Sequence, residues 1–156
     1  MKRHLPAFYI FIVLLGLTLV YAAIPHFTTE GYVVADDIAV DGTTITIAHG
    51  CKAIVADTSI ERAYSIHTGL EGKIEGRPTT HDTFAQVLRE FNLTLDAVQI
   101  KKFDGTYFYS DLILSNDDKI LALDAMPSDA IALALRLNAT IYVNETLLNE
   151  VGQEIC

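Results

Sequence analysis

Apolar and polar positions alternate along short stretches of this chain, then shift to helical spacing, and turn-forming residues separate the stretches. Tyr32–Val40 and Thr43–Ala48 read as two strands joined at Asp41-Gly42, a strong hairpin signal, and Cys51–Ala56 reads as a third strand. Ile60–Leu70 has helical spacing and ends near Gly69 and Gly72; Glu71 to Arg77 is a glycine-containing loop. Thr80–Phe91 is a second helix, with Phe84, Val87, Leu88 and Phe91 on one face and Thr80 or Asp82 to cap its start. Leu95–Phe103 and Thr106–Leu114 form a second hairpin around Asp104-Gly105, and Lys119–Asp124 adds a strand after the Asn116-Asp117-Asp118 turn. A helix from Pro127, a strand at Thr140–Val143 and a short helix from Glu145 complete the pattern. Neighbouring strands joined by tight turns predict an α+β fold, with a largely antiparallel sheet and helices packed on it.

The N-terminus has a different pattern. Lys2 and Arg3 precede an uncharged run from Leu5 to Ile24 with no polar face. At about 1.5 Å per residue such a helix crosses the roughly 30 Å of a bilayer core. Phe8, Tyr9, Tyr21 and Phe27 sit near its ends, as interfacial aromatics do. We read residues 1–26 as a single transmembrane anchor; a cleaved signal peptide with Val20-Tyr21-Ala22 near its end is the rival reading. Residues 27–31 form a linker and 32–156 one domain, long enough for its own core. No Lys or Arg follows Arg3 until Lys52, so the positive-inside rule places the domain outside the cytoplasm. Three glycosylation-type tripeptides, starting at Asn92, Asn138 and Asn144, agree with that side. So does a disulfide between Cys51 and Cys156, although two separate thiols fit the sequence equally well.

The richest chemistry lies where the last long strand meets the helix from Pro127: Asp124-Ala125-Met126-Pro127-Ser128-Asp129. Pro127 suits a first helical turn, and Ser128 and Asp129 suit a helix start. The same junction puts two carboxylates, a hydroxyl and free N–H groups at one point. His81-Asp82, at another helix start, is the natural partner for it. Carboxylates, an imidazole and a hydroxyl brought together can activate a water and hold a divalent ion such as Mg²⁺ or Mn²⁺. On that chemistry the catalytic candidates are His81, Asp82, Asp124, Ser128 and Asp129. Asp82, Asp124 and Asp129 are also the metal-ligand candidates, and Arg77 and Arg136 are the candidates to pair with phosphate. Tyr107 and Tyr109 alternate on a strand, where they could stack bases.

Four separated segments resemble the bifunctional nuclease domain family, in order and spacing. Asp124-Ala125-Met126-Pro127-Ser128-Asp129-Ala130 is similar to its Asp-Ala-Arg-Pro-Ser-Asp-Ala signature. Arg77-Pro78-Thr79-Thr80-His81-Asp82 resembles its Arg-Pro-x-x-His-Asp segment. Asp104-Gly105-Thr106-Tyr107-Phe108 resembles the turn before a Phe-containing strand, and Ala139-Thr140-Ile141-Tyr142-Val143 its closing strand. The likeness runs from about Tyr32 to about Leu148. It implies an α/β roll that often self-associates, and a nuclease acting on DNA or RNA. Met126 stands where the family has Arg, and Arg62 where an upstream Gly-x-x-Glu-Ala segment has Glu.

Charge keeps a second reading open. Against 20 acidic side chains stand 11 Lys and Arg, a net −9, and −11 without Lys2 and Arg3. Nucleic-acid binders normally present a basic face. Together with Met126 and Arg62, this acidity fits a non-catalytic binding or self-association domain on the same fold.

Overall fold

The computed structural model describes residues 27–156. The strands there are β1 (Tyr32–Val34), β2 (Asp37–Asp41), β3 (Thr44–His49), β4 (Lys52–Asp57), β5 (Thr94–Phe103), β6 (Phe108–Ser115), β7 (Ile120–Ala125), β8 (Thr140–Asn144) and β9 (Gln153–Glu154). The helices are α1 (Ile60–Glu71), α2 (Thr80–Glu90), α3 (Pro127–Leu137) and α4 (Glu145–Val151). The expected anchor, residues 1–26, lies outside the described residues. Among the described residues no helix is long and apolar enough to cross a membrane.

The strands form two sheets. One has five strands in the order β1-β8-β5-β6-β7, and the other four in the order β2-β3-β4-β9. All pairings are antiparallel except β5 with β8. Tyr32–Val40, expected as one strand, is two. The Ala35 N–H bonds to Ile141 in the first sheet, and the next N–H, of Asp36, bonds to Ala48 in the second. The chain therefore changes sheets between these residues. The first hairpin turns one residue later than expected, at Gly42-Thr43, with Gly42 at φ 59°. The second turns through Asp104 to Tyr107, where the Asp104 carboxylate accepts the N–H groups of Thr106 and Tyr107.

Helix α3 organises the core. Ala130, Ile131, Ala132, Leu133 and Ala134 are all buried, the pattern of a helix covered on every side. It packs on β5, β6 and β8 and carries α1 and α2 against it. Val98, Ile100, Leu112 and Leu114 from the five-stranded sheet join Ile45, Ile47 and Ile54 from the other in one core around it. Gly69 permits the close approach of α1, since a Cβ there would lie 2.9 Å from Arg136 Nη1 and 3.1 Å from Leu135 Cβ. Cys51, in the β3–β4 turn, is disulfide-bonded to Cys156, which settles the open question of the two cysteines. The bond fixes the C-terminal strand β9 beside β4.

Candidate functional site

Three helix starts meet at one place, and each delivers a charged or polar side chain. Helix α1 begins at an extended Ser59, whose hydroxyl accepts the Arg62 N–H, and it presents Arg62 from its first turn. Helix α2 begins with a reciprocal cap between Thr79 and Asp82, and it presents His81. Helix α3 follows directly from β7. The Ser110 hydroxyl donates to the Ala125 carbonyl at 2.8 Å and so fixes the end of the strand. Met126 then serves as an N-cap without a capping side chain, and Pro127 opens the helix. With no capping duty, the Asp129 carboxylate turns toward the other two helices. Its Oδ1 lies 3.5 Å from His81 Nε2 and 3.6 Å from Arg62 Nε.

His81 is held from behind, with Ser65 Oγ 2.8 Å from its Nδ1. When that hydroxyl donates, the imidazole proton sits on Nε2, facing Asp129. Burial holds the His81 pKa below its ordinary value; Asp129 opposes this and Arg136 reinforces it. The ring is therefore neutral at pH 7. Two cavities flank the cluster. One of about 470 Å³ is lined by Arg62, Ser65, Thr80 and His81. The other, about 330 Å³, is lined by Arg62, Tyr107, Met126 and Ser128. Arg62 belongs to both walls.

The remaining expected residues lie elsewhere. Asp82 and Arg136 are bound to each other, Nε to Oδ1 at 2.5 Å, with both side chains only 7% exposed. Arg136 also donates to the Ser65 and Ala132 carbonyls and to the Thr68 hydroxyl. Burial pushes the Asp82 carboxyl up, but the bonds from Arg136 and Thr79 outweigh it and hold the pKa below the usual range. This pair clamps α3 to α1 and α2. Asp124 is paired in register with Asp111 on the sheet face opposite to Leu112 and Leu123, away from the helix starts. Arg77 is exposed in the loop before α2. The three carboxylates expected to hold Mg²⁺ or Mn²⁺ thus do not share a point. Among the described residues no group of three His, Cys, Asp or Glu side chains forms a metal cage.

Ser65 and Arg62 were not among the expected site residues. A serine four residues before Gly69, on the same helix face, was the available signal for Ser65. For Arg62 the signal was its position where the resembling family carries Glu. Arg62 and Met126 line the same cavity. Arg62, from α1, lies 3.6 Å from the Asp129 carboxylate in the first turn of α3.

Residues 53–155 match the bifunctional nuclease domain family. Two uncharacterized proteins from two strains of Mycobacterium tuberculosis are each 37% identical to this chain over 76 residues, which is 49% of this chain and 44% of theirs. The chain therefore spans less than half the length of these curated relatives. The family match covers most of the chain, and the chain belongs to the bifunctional nuclease domain family.

Proposed function

We propose that this bifunctional nuclease domain hydrolyses phosphodiester bonds of DNA or RNA, at the meeting point of α1, α2 and α3. The observation that carries this reading is the convergence of Arg62, His81 and Asp129 between two open cavities. Arg62 is 40% exposed and only loosely paired, so its guanidinium is free to turn to an incoming phosphate and neutralise it. Asp129 accepts a proton from the attacking water as the water oxygen bonds to phosphorus; the P–O bond to the leaving sugar oxygen breaks, and that oxygen takes its proton from solvent water. The Nε2–H of His81 donates to a phosphoryl oxygen as charge grows there, with its tautomer set by Ser65. Ser128, beside Arg62 on the second cavity, orients the phosphate. Asp82 and Arg136 act through position only, by holding α2 against α3. An anchor at residues 1–26 would hold this activity at a membrane, on its extracytoplasmic side, as an N-terminal hydrophobic run behind Lys2 and Arg3 supports.

The test is cleavage of end-labelled single-stranded and duplex DNA and RNA, with Mg²⁺, Mn²⁺ or a chelator. The expected result is cleavage that falls at least about 100-fold on Arg62→Met, the scale of losing one preorganised charge-stabilising group. The same loss is expected on Asp129→Asn. Cleavage unmoved by both changes would refute the assignment. A non-catalytic binding reading has one observation of its own, the separation of Asp82, Asp124 and Asp129. Under it, nucleic acid binds with the same dependence on Arg62 and is released intact.

A further inference from the structure

The fold sorts the three Asn-x-Thr tripeptides, at Asn92-Leu93-Thr94, Asn138-Ala139-Thr140 and Asn144-Glu145-Thr146. Such a tripeptide accepts an N-linked sugar where its asparagine stands on an open surface loop. Asn92 lies just beyond α2 and Asn138 just beyond α3, and both are exposed in left-handed turns at φ 53°. The turns end the helices and leave the asparagines outside them: the Leu93 N–H donates to the Leu88 carbonyl, and the Ala139 N–H to Ala134. Thr94 and Thr140, which complete the two tripeptides, are exposed as well. Asn144 differs. It ends β8 in register with Tyr32 and is half-buried, and its side-chain oxygen accepts the Leu147 N–H at 3.0 Å to cap α4.

Asn92 and Asn138 also share one end of the domain. Arg89, in the last turn of α2, donates to the Arg136 carbonyl in the last turn of α3 at 2.6 Å, so the two helix ends are adjacent. Arg62, His81 and Asp129 meet at the helix starts instead. Helices α2 and α3 have 11 residues each, which at 1.5 Å per residue is about 16 Å from start to end. A bulky group on either asparagine therefore leaves that site open. Phe91, the neighbour of Asn92, is 72% exposed, an apolar ring that a sugar on Asn92 would cover.

We propose that Asn92 and Asn138 carry N-linked glycans and that Asn144 does not. The inference rests on the extracytoplasmic placement of the domain, and it is independent of the nuclease reading. In the transfer, the asparagine side-chain nitrogen bonds to C1 of a sugar carried on a membrane polyprenyl phosphate or pyrophosphate. The bond from C1 to the carrier oxygen breaks, that oxygen keeps the electron pair, and the amide nitrogen gives up one proton. The product is a bulky, solubilising group on the face where α2 and α3 end.

The test is mass spectrometry of the full chain purified from the membranes of the cells that naturally make it, intact and as peptides. The expected result is a mass above that of the sequence, with sugar on the peptides of Asn92 and Asn138 and none on that of Asn144. Thr94→Ala and Thr140→Ala each remove one tripeptide without touching the asparagine in its left-handed turn, and each is expected to remove one glycan. Thr94→Ser keeps the tripeptide and is expected to keep the sugar. A bare Asn92 or Asn138 in the unaltered chain, or a glycan on Asn144, would overturn the proposal. Labelling of right-side-out membrane vesicles with a membrane-impermeant amine reagent separates this inference from the placement it rests on, since Lys73 and Lys119 are exposed. Labelled lysines with bare asparagines sink the glycan sites alone. Unlabelled lysines with bare asparagines sink the extracytoplasmic placement with them.

Discussion

Arg136→Met isolates the clamp beneath the site. Methionine keeps helix propensity and most of the side-chain length, so α3 itself is little affected. What disappears is the guanidinium, which donates to Asp82, Thr68, Ser65 and Ala132. The Asp82 carboxylate, 7% exposed, keeps only its Thr79 bonds and is left as an uncompensated buried charge. Removing one partner of a buried pair costs about 3–5 kcal/mol. Domains of this size are stable by about 5–15 kcal/mol, so the variant stays folded but near its limit. In urea, at about 1–3 kcal/mol per molar for the slope, the midpoint falls by about 2 M. Asp82→Asn in the same chain removes the stranded charge. The double variant is therefore expected to be at least about 1 kcal/mol more stable than the sum of the two single losses implies. The assay is equilibrium urea unfolding by far-UV circular dichroism, on all four proteins. A loss below about 1 kcal/mol for Arg136→Met, or strict additivity in the cycle, would refute the clamp and return Arg136 to the list of phosphate-binding candidates.

Other predictions follow from the same geometry. His81 is held neutral by burial, so its folded pKa lies below the unfolded value of about 6.5. The unfolded chain then takes up the proton first, and stability falls as pH drops below about 6.5 toward the folded pKa. His81→Asn is expected to flatten that window in thermal melts from pH 8 to 5, while the Asp82 contribution is lost only below about pH 4. Reducing the Cys51–Cys156 disulfide, which spans 105 residues, is expected to cost roughly 4–5 kcal/mol on the chain-entropy estimate. A urea midpoint unchanged by a thiol reductant would contradict that. Gly69→Ala forces Arg136 and Leu135 to move and is expected to cost about 1–3 kcal/mol, read by the same unfolding assay.

The local elements were legible in the sequence because local patterns make them. Asp104-Gly105 marked its hairpin, and Met126-Pro127-Ser128-Asp129 marked the start of α3, since proline and helix-start residues act within one turn. The split of Tyr32–Val40 was not legible. Alternation is the same in either sheet, and only the partners of Ala35 and Asp36, far along the chain, reveal the change. The site was half legible for the same reason. His81 and Asp129 were singled out at two separate helix starts, and the structure brings their side chains within 3.5 Å. Asp82 and Arg136 carry equally suggestive side chains, yet 54 residues of separation hide that they satisfy each other. Arg62 was noticed as a departure at one position. Its place in the site required seeing the Asp129 carboxylate 3.6 Å away.

The most direct measurement sets two aspartates of one motif against each other. Asp124 and Asp129 are five residues apart in sequence but lie on opposite sides of the sheet–helix junction. Cleavage of labelled single-stranded substrate is measured for Asp124→Asn and Asp129→Asn, with far-UV circular dichroism to establish that both fold. The account predicts that Asp129→Asn loses at least about 100-fold in rate and that Asp124→Asn cleaves like the unaltered protein. Full activity in Asp129→Asn, or the loss falling on Asp124→Asn instead, would contradict a site at the convergence of α1, α2 and α3.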